Sequence, residues 1–110
     1  MPLSEYARQK ALRALLSGDC ALGLMSGGGE LTDANYRRQP ARFAPGADGK
    51  WRNLDDVQYP ALSADVTIDG WLLVDDDGLE VCRGETRPKV FEVGDQPFRQ
   101  PGDVVVGLEG

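Results

Sequence analysis

The sequence predicts a mainly β protein: an antiparallel β-sandwich or small barrel preceded by one N-terminal α-helix. Three observations carry this. Only residues 4–16 space their apolar side chains at helical intervals. Beyond residue 18 apolar and polar residues alternate over short runs, the period of a strand with one buried face. Turn-forming glycine and proline separate the runs about every ten residues, as in sandwiches and small barrels. At 110 residues the chain is expected to form one domain of two packed layers. Residues 1–18, carrying the helix, belong to or dock on a sandwich spanning 19–110.

Taken in order, SEYARQKALRALL begins with Ser4, whose hydroxyl suits a helix N-cap, and Gly18 suits its end. Tyr6, Ala7, Ala11, Ala14 and Leu15 form the expected apolar stripe. Arg8 and Arg13 lie off it. CALGLM, 20–25, reads as the first strand, and SGGGE turns it. Tyr36 to Phe43 reads as the second, with Pro40 pushing it to a sheet edge or a bulge. APGADGK, 44–50, is a loop. Val57 and Tyr59 alternate across Gln58. Val66 and Ile68 begin a run that continues to Val74, and Leu79 and Val81 begin another. Lys89 to Val93 is a further short strand ending at Gly94-Asp95. In the last, Asp103 to Leu108, Val104, Val106 and Leu108 share one face and Val105 takes the other.

The chain is 41% hydrophobic and 27% charged, a composition that folds. No stretch approaches the roughly 20 apolar residues of a membrane span. MPLSEYARQKALRALL lacks the order of a signal peptide, so the chain is expected to stay in the cytoplasm or be assembled into something there. A net charge of −6 argues against free nucleic-acid binding. That charge is uneven. Residues 1–52 hold eight Lys/Arg against five Asp/Glu, net +3, and residues 53–110 hold four against thirteen, net −9. Such a division suits copies that meet each other or a partner surface, or simply solvated charge. Cys20 and Cys82, far apart in sequence, are expected as two free thiols rather than a disulfide.

The chemical motifs are thin. DDDG, residues 75–78, fails as a calcium loop: the twelfth residue from Asp75 is Thr86, and alternate positions beyond Asp77 are Leu79 and Val81. Asp-Gly between apolar runs reads instead as a hairpin turn. GGG, 27–29, is followed by Glu30-Leu31-Thr32-Asp33 rather than Gly-Lys-Ser/Thr, so it reads as a flexible loop and not a phosphate cradle. With no histidine there is no Ser-His or Cys-His pair, and two cysteines cannot complete a four-ligand zinc site. Asp55-Asp56 reads as a solvated turn rather than an acid–base pair. Trp51 and Trp71 read as core, with sugar stacking the alternative. Arg37, Arg38 and Arg42 form a basic cluster in which Arg38 and Arg42, on one strand face, project together toward an acidic partner or toward water. No catalytic residue, cofactor or metal is expected.

The order of these elements resembles a known family. SEYARQKALRALL is similar to the short helix that begins many small tailed-phage virion proteins, usually labelled phage tail fibre or head decoration-type proteins. A strand like Ala21–Met25 follows, then a Gly-rich loop and a Tyr-x-Arg stretch, here Tyr36-Arg37-Arg38. Asn53, the Val57–Ala61 segment, the Val66–Asp75 segment, Gly94-Asp95 and the valine-rich Val104–Leu108 continue the resemblance along nearly the whole chain. The chain departs from the pattern in its shorter loop after the first strand, in DDDG where a small-residue turn is usual, and in Tyr59 where phenylalanine is usual. The resemblance implies a non-enzymatic virion structural protein without cofactors, assembled in the host cytoplasm. Its expected partners are capsid or tail subunits and other copies of itself, with no nucleic acid and no membrane.

The chain is short and acidic, without coiled-coil heptads or fibrous repeats. This favours a head decoration or cement protein over the alternative, a tail-fibre or tail-tip subunit. Many copies that bind only the assembled shell stabilise it by mass action. A glycan-binding module using a tryptophan is the alternative from another class. The expected contact residues are Tyr6 and Arg13 on the helix, with Arg37, Arg38 and Arg42.

Overall fold

The computed structural model describes residues 4–107. It is mainly β, with antiparallel sheets and one N-terminal helix, a small β-sandwich as the sequence predicts. Helix α1 spans Glu5–Leu16. Ser4 caps it, its Oγ accepting a hydrogen bond from the Ala7 amide at 3.1 Å. The buried face differs from the expected stripe. Leu12 and Leu16 enter the core, while Tyr6 is 74% exposed and Leu15 40%. The helix carries two interleaved apolar stripes, and alanines suit either. The bulkier leucine pair decides, because each buried leucine contributes about 1.5–3 kcal/mol and alanine much less.

Ten strands follow. β1 (Cys20–Ser26) and β2 (Gly29–Glu30) form a hairpin closed by Gly27-Gly28. Both glycines have positive φ, 61° and 88°, so the GGG stretch is a tight two-residue turn rather than a flexible loop. β3 (Gln39–Ala41) and β4 (Phe43–Pro45) replace the single strand expected from Tyr36 to Phe43. The chain breaks at Arg42, where it passes from one sheet to another. β5 (Trp51–Asn53), β6 (Val57–Gln58), β7 (Val66–Val74), β8 (Glu80–Phe91), β9 (Phe98–Arg99) and β10 (Val105–Val106) complete the set. β8 merges two runs that the sequence separates. Its Pro88 sits opposite a register shift on an edge strand, where a missing amide is tolerated. Val104 and Val106 are buried and Val105 is exposed, as expected; Leu108 lies outside the described residues.

One sheet has the order β2-β1-β7-β8, and β3 joins it on the β1 edge that β2 also uses. A second sheet is β10-β5-β4, and β6 pairs with β9 as a third. The core lies between the large sheet and the smaller ones. Leu22, Leu24, Ile68 and Leu73 from the large sheet meet Phe43, Trp51, Val57, Tyr59, Val104 and Val106, and α1 adds Leu12 and Leu16. Both tryptophans are core residues. Among the described residues no helix is long and apolar enough to cross a membrane.

The stretch DDDG is the turn of the β7–β8 hairpin. The Asp75 amide donates to the Leu79 carbonyl at 2.9 Å, and the Gly78 amide to the Asp75 carbonyl at 3.0 Å. Asp75 Oδ1 accepts from the Asp77 and Leu79 amides at 2.9 and 3.0 Å, so this carboxylate shapes the turn.

Candidate functional site

The five residues expected at a contact surface are divided between two places. Tyr6 and Arg13 lie on α1. Tyr6 is exposed with Lys10 Nζ 5.8 Å above its ring. Arg13 places its guanidinium 5.7 Å above the Trp51 ring, and Gln9 bridges the same joint, accepting from Trp51 Nε1 at 3.3 Å and donating to the Gly49 carbonyl at 2.6 Å. Arg13 therefore serves the docking of α1 on the β4–β5 hairpin. Arg37, Arg38 and Arg42 lie between β2 and β4. Arg42 is ion-paired with Asp55 at 2.8 Å in the open, and Arg37 is exposed. Because the strand breaks at Arg42, Arg38 and Arg42 do not share the face of one continuous strand.

Arg38 belongs to a network that repairs a gap in the large sheet. β2 and β3 cover the two ends of one β1 edge and leave its middle unpaired. Two tyrosines fill the gap. Tyr36 Oη accepts from the Leu24 amide at 3.1 Å and donates to Glu30, and Tyr59 Oη donates to the Leu22 carbonyl at 2.8 Å. Their rings stack with centroids 6.1 Å apart. Arg38 closes on Glu30 in a fork, Nε to Oε2 at 2.9 Å and Nη2 to Oε1 at 2.8 Å. The hydrogen bonds from Arg38 hold the Glu30 carboxyl below its ordinary value. Burial, and then the bond to Glu30, push the Tyr36 phenol well above its own, so it stays protonated and works as a hydrogen-bonding spacer. Gly23 must lack a side chain here, since a Cβ would stand 2.6 Å from Tyr36 Oη and 2.9 Å from Glu30 Oε2. The sequence offered Tyr36, Arg38 and Tyr59 as separate features; their convergence depends on a pairing gap that periodicity does not reveal.

Two further polar devices escaped the sequence reading. Asp33 takes four donors, from Ser63 N, Ser63 Oγ, Ala64 N and Asn35 N at 2.9 to 3.1 Å, and pins the β2–β3 connection to the β6–β7 connection. Asn53, the one buried polar side chain among the described residues, holds the C-terminal segment. Its Nδ2 donates to the Asp55 and Gln100 carbonyls at 3.0 and 2.9 Å, and its Oδ1 accepts from the Val104 amide at 2.9 Å. Cys20 and Cys82 are free thiols, and burial pushes Cys82 up to about 11.

The strongest surface for a ligand or partner lies elsewhere, where the sandwich opens between β8 and β9. A cavity of about 280 Å³ has an apolar floor of Leu24, Ile68, Phe91, Pro97 and Phe98, and Arg87, Lys89 and Arg99 stand around it. Lys89 Nζ lies 5.1 Å above the Phe91 ring. Lys89 faces Ile68 across the strand pair and Phe91 faces Val66, so these side chains share the inward face of β8. Here β9 of the third sheet stands across from β8, and the inward face of β8 carries Lys89 beside Phe91. None of these three cations is in an ion pair among the described residues, whereas Arg8, Arg38, Arg42, Arg52 and Arg83 all are. A larger cavity, about 560 Å³, lies against Met25 and Gly70, but its one cation, Arg83, is bound to Glu80.

Periodicity passes over the groove because it reads β8 as two runs, one begun by Leu79 and Val81 and the other spanning Lys89 to Val93. It was legible as one fact: residues 53–110 contain only four cations, and three of them stand within thirteen positions, from 87 to 99. No protein-family model matches the chain, and neither does any curated protein.

Proposed function

We propose that this chain is a non-enzymatic virion structural protein of a tailed bacteriophage: a head decoration protein that binds the assembled capsid. The observation that carries the reading is the groove between β8 and β9, with its apolar floor, three cations in no ion pair among the described residues, and the outer edge of β8 alongside. Apolar floor beside unneutralised charge is the composition of an adhesive surface. The polar side chains elsewhere support the same reading, because Glu30, Asp33, Tyr36, Arg38, Asn53 and Tyr59 are bonded to their own chain. They give a small body the rigidity that a lattice component needs. The sequence resemblance to virion proteins supplies the class of partner. Arg37 and Tyr6, both exposed, extend the candidate contact surface beyond the groove. The tryptophan-based sugar site has little support, since Trp51 is 3% exposed and Trp71 9%.

The test is quantitative mass spectrometry of phage particles from the host that encodes the chain, together with addition of purified protein to heads that lack it. A decoration protein is expected at abundance comparable with the major capsid subunit and rebinds the heads. Abundance at the level of a tail protein would move the role to the tail. Absence from purified particles would overturn the virion reading altogether.

A further inference from the structure

The three groove cations stand at one end of β8, and at its other end the β7–β8 hairpin closes with Asp75, Asp76 and Asp77. The three carboxylates lie within 4.8 Å of one another, and Asp76 and Asp77 are exposed. Beside them Leu79 is 65% exposed, the one large apolar side chain at the tip. The tip thus sets an apolar residue beside two exposed carboxylates, and the groove sets an apolar floor beside three cations, none of them in an ion pair among the described residues.

Within one copy the two cannot meet. They terminate the same hairpin, with about 30 Å of strand between Leu79 and Lys89 at the usual rise per residue. The hairpin is held along that length by register from Val74–Glu80 to Val66–Phe91, and the molecule is elongated, 45 Å in its longest dimension against 25 and 24 Å. Complementary surfaces at opposite ends of a stiff ribbon can be satisfied only between molecules.

We propose that the groove between β8 and β9 receives the Asp75–Leu79 tip of a second copy of this chain. Asp76 and Asp77 meet Arg87, Lys89 and Arg99, and Leu79 lies on Phe91 and Phe98. The contact is heterologous, one end of a copy against the other end of the next, so it builds a ring if the rotation closes and an open row if it does not. Inward-facing charge on an edge strand also discourages random strand pairing, and here the same charges select the partner that neutralises them. The inference names the self-contact of a multi-copy protein but rests on the charge geometry alone. Capsid binding does not require self-association, and the two failures are therefore separable.

The experiment is sedimentation velocity of the full chain over a range of concentration at low and high salt, with two charge-reversal variants. One is Asp76→Lys/Asp77→Lys, which retains the groove. The other is Arg87→Glu/Lys89→Glu, which retains the tip. All four positions are exposed, and circular dichroism verifies folding. The wild type is expected to associate, with association weakened by salt. Each variant alone is expected to associate at least about tenfold more weakly, since like charges then face each other. Mixed, the two variants are expected to recover association, because each supplies the surface the other lacks and the two reversed surfaces are themselves opposite in charge. A wild type that is monomeric at every concentration in low salt overturns the proposal. So does an associating wild type whose variants, folded and mixed, give no pair.

Discussion

The buried Asn53 gives the sharpest quantitative test of how the sandwich is held shut. Asn53→Asp preserves shape and volume and changes only donors into acceptors. The wild-type amide donates to the Asp55 and Gln100 carbonyls and accepts from the Val104 amide. A neutral aspartic acid keeps the Val104 bond and can satisfy at most one of the two carbonyls. That loss is worth about 1–2 kcal/mol. An ionised one would hold a carboxylate about 3 Å from two carbonyl oxygens. The folded protein therefore takes up a proton, and the folded pKa rises above the unfolded value. The sign follows: the penalty is smallest below the unfolded pKa and grows as pH rises. Holding the proton at pH 7 against an unfolded pKa near 3.9 costs up to about 4 kcal/mol. The expected destabilisation is about 1–2 kcal/mol at pH 4 and about 3–5 kcal/mol at pH 7, against a total of about 5–15. Urea unfolding of wild type and variant at both pH values measures it, with Asn53→Ala as a variant whose loss has no such pH dependence. A loss that is equal at the two pH values, or below 1 kcal/mol at pH 7, would show that the C-terminal segment is not pinned through this amide.

Tyr59→Phe removes the hydroxyl donated to the buried Leu22 carbonyl and is expected to cost about 1–3 kcal/mol in chemical denaturation. Gly23→Ala forces Tyr36 and Glu30 aside, and a loss of about 1–3 kcal/mol is expected; hydrogen exchange at the Leu24 amide should quicken, because its acceptor is displaced. Glu30 sits below its ordinary 4.5, so its pairing with Arg38 stabilises the fold above that pH and is lost as pH falls through the lower folded value. Glu30→Gln should lower the melting temperature at pH 7 and flatten its decline between pH 5 and 3. Leu12→Ala should destabilise by about 2–5 kcal/mol, whereas Tyr6→Ala should leave stability within about 0.5 kcal/mol, which locates the docked face of α1.

The elements that were legible in the sequence are those where one local rule dominates. Val66 to Val74 is long and apolar, and the structure makes it β7, the central strand with a neighbour on each side. Ser4 and Gly18 bracket α1, and Asp-Gly marks the hairpin turn, because capping and turn chemistry are written in a few adjacent residues. What was not legible depends on distant partners. The docked face of α1 is hidden because Gln9 and Arg13 are polar by type, yet Gln9 bonds to Trp51 and Gly49 and Arg13 lies over the Trp51 ring. β5, β9 and β10 are only two or three residues long, too short for any period to register. Pro88 and Gly84 punctuate β8 in sequence without ending it, since an edge strand has no outer ladder to break.

The same distinction explains the charge. Divided by sequence, the chain has a basic half and an acidic half, which suggests two faces. Folding does not keep that division. Five of the cations are paired with nearby carboxylates, and in the first half Glu5, Glu30 and Asp48 take three of them. Of the cations outside those pairs, Lys10, Arg13, Arg37 and Lys50 are spread over the first half, whereas Arg87, Lys89 and Arg99 stand together at one mouth of the sandwich. Asp75, Asp76 and Asp77 form a carboxylate cluster at the far end of the same hairpin. A single hairpin thus carries a carboxylate cluster at one end and a cation cluster at the other. In the proposed tip-to-groove contact, opposite charge at the two ends orients copies before they touch, and the order of residues along β7 and β8 sets which end meets which.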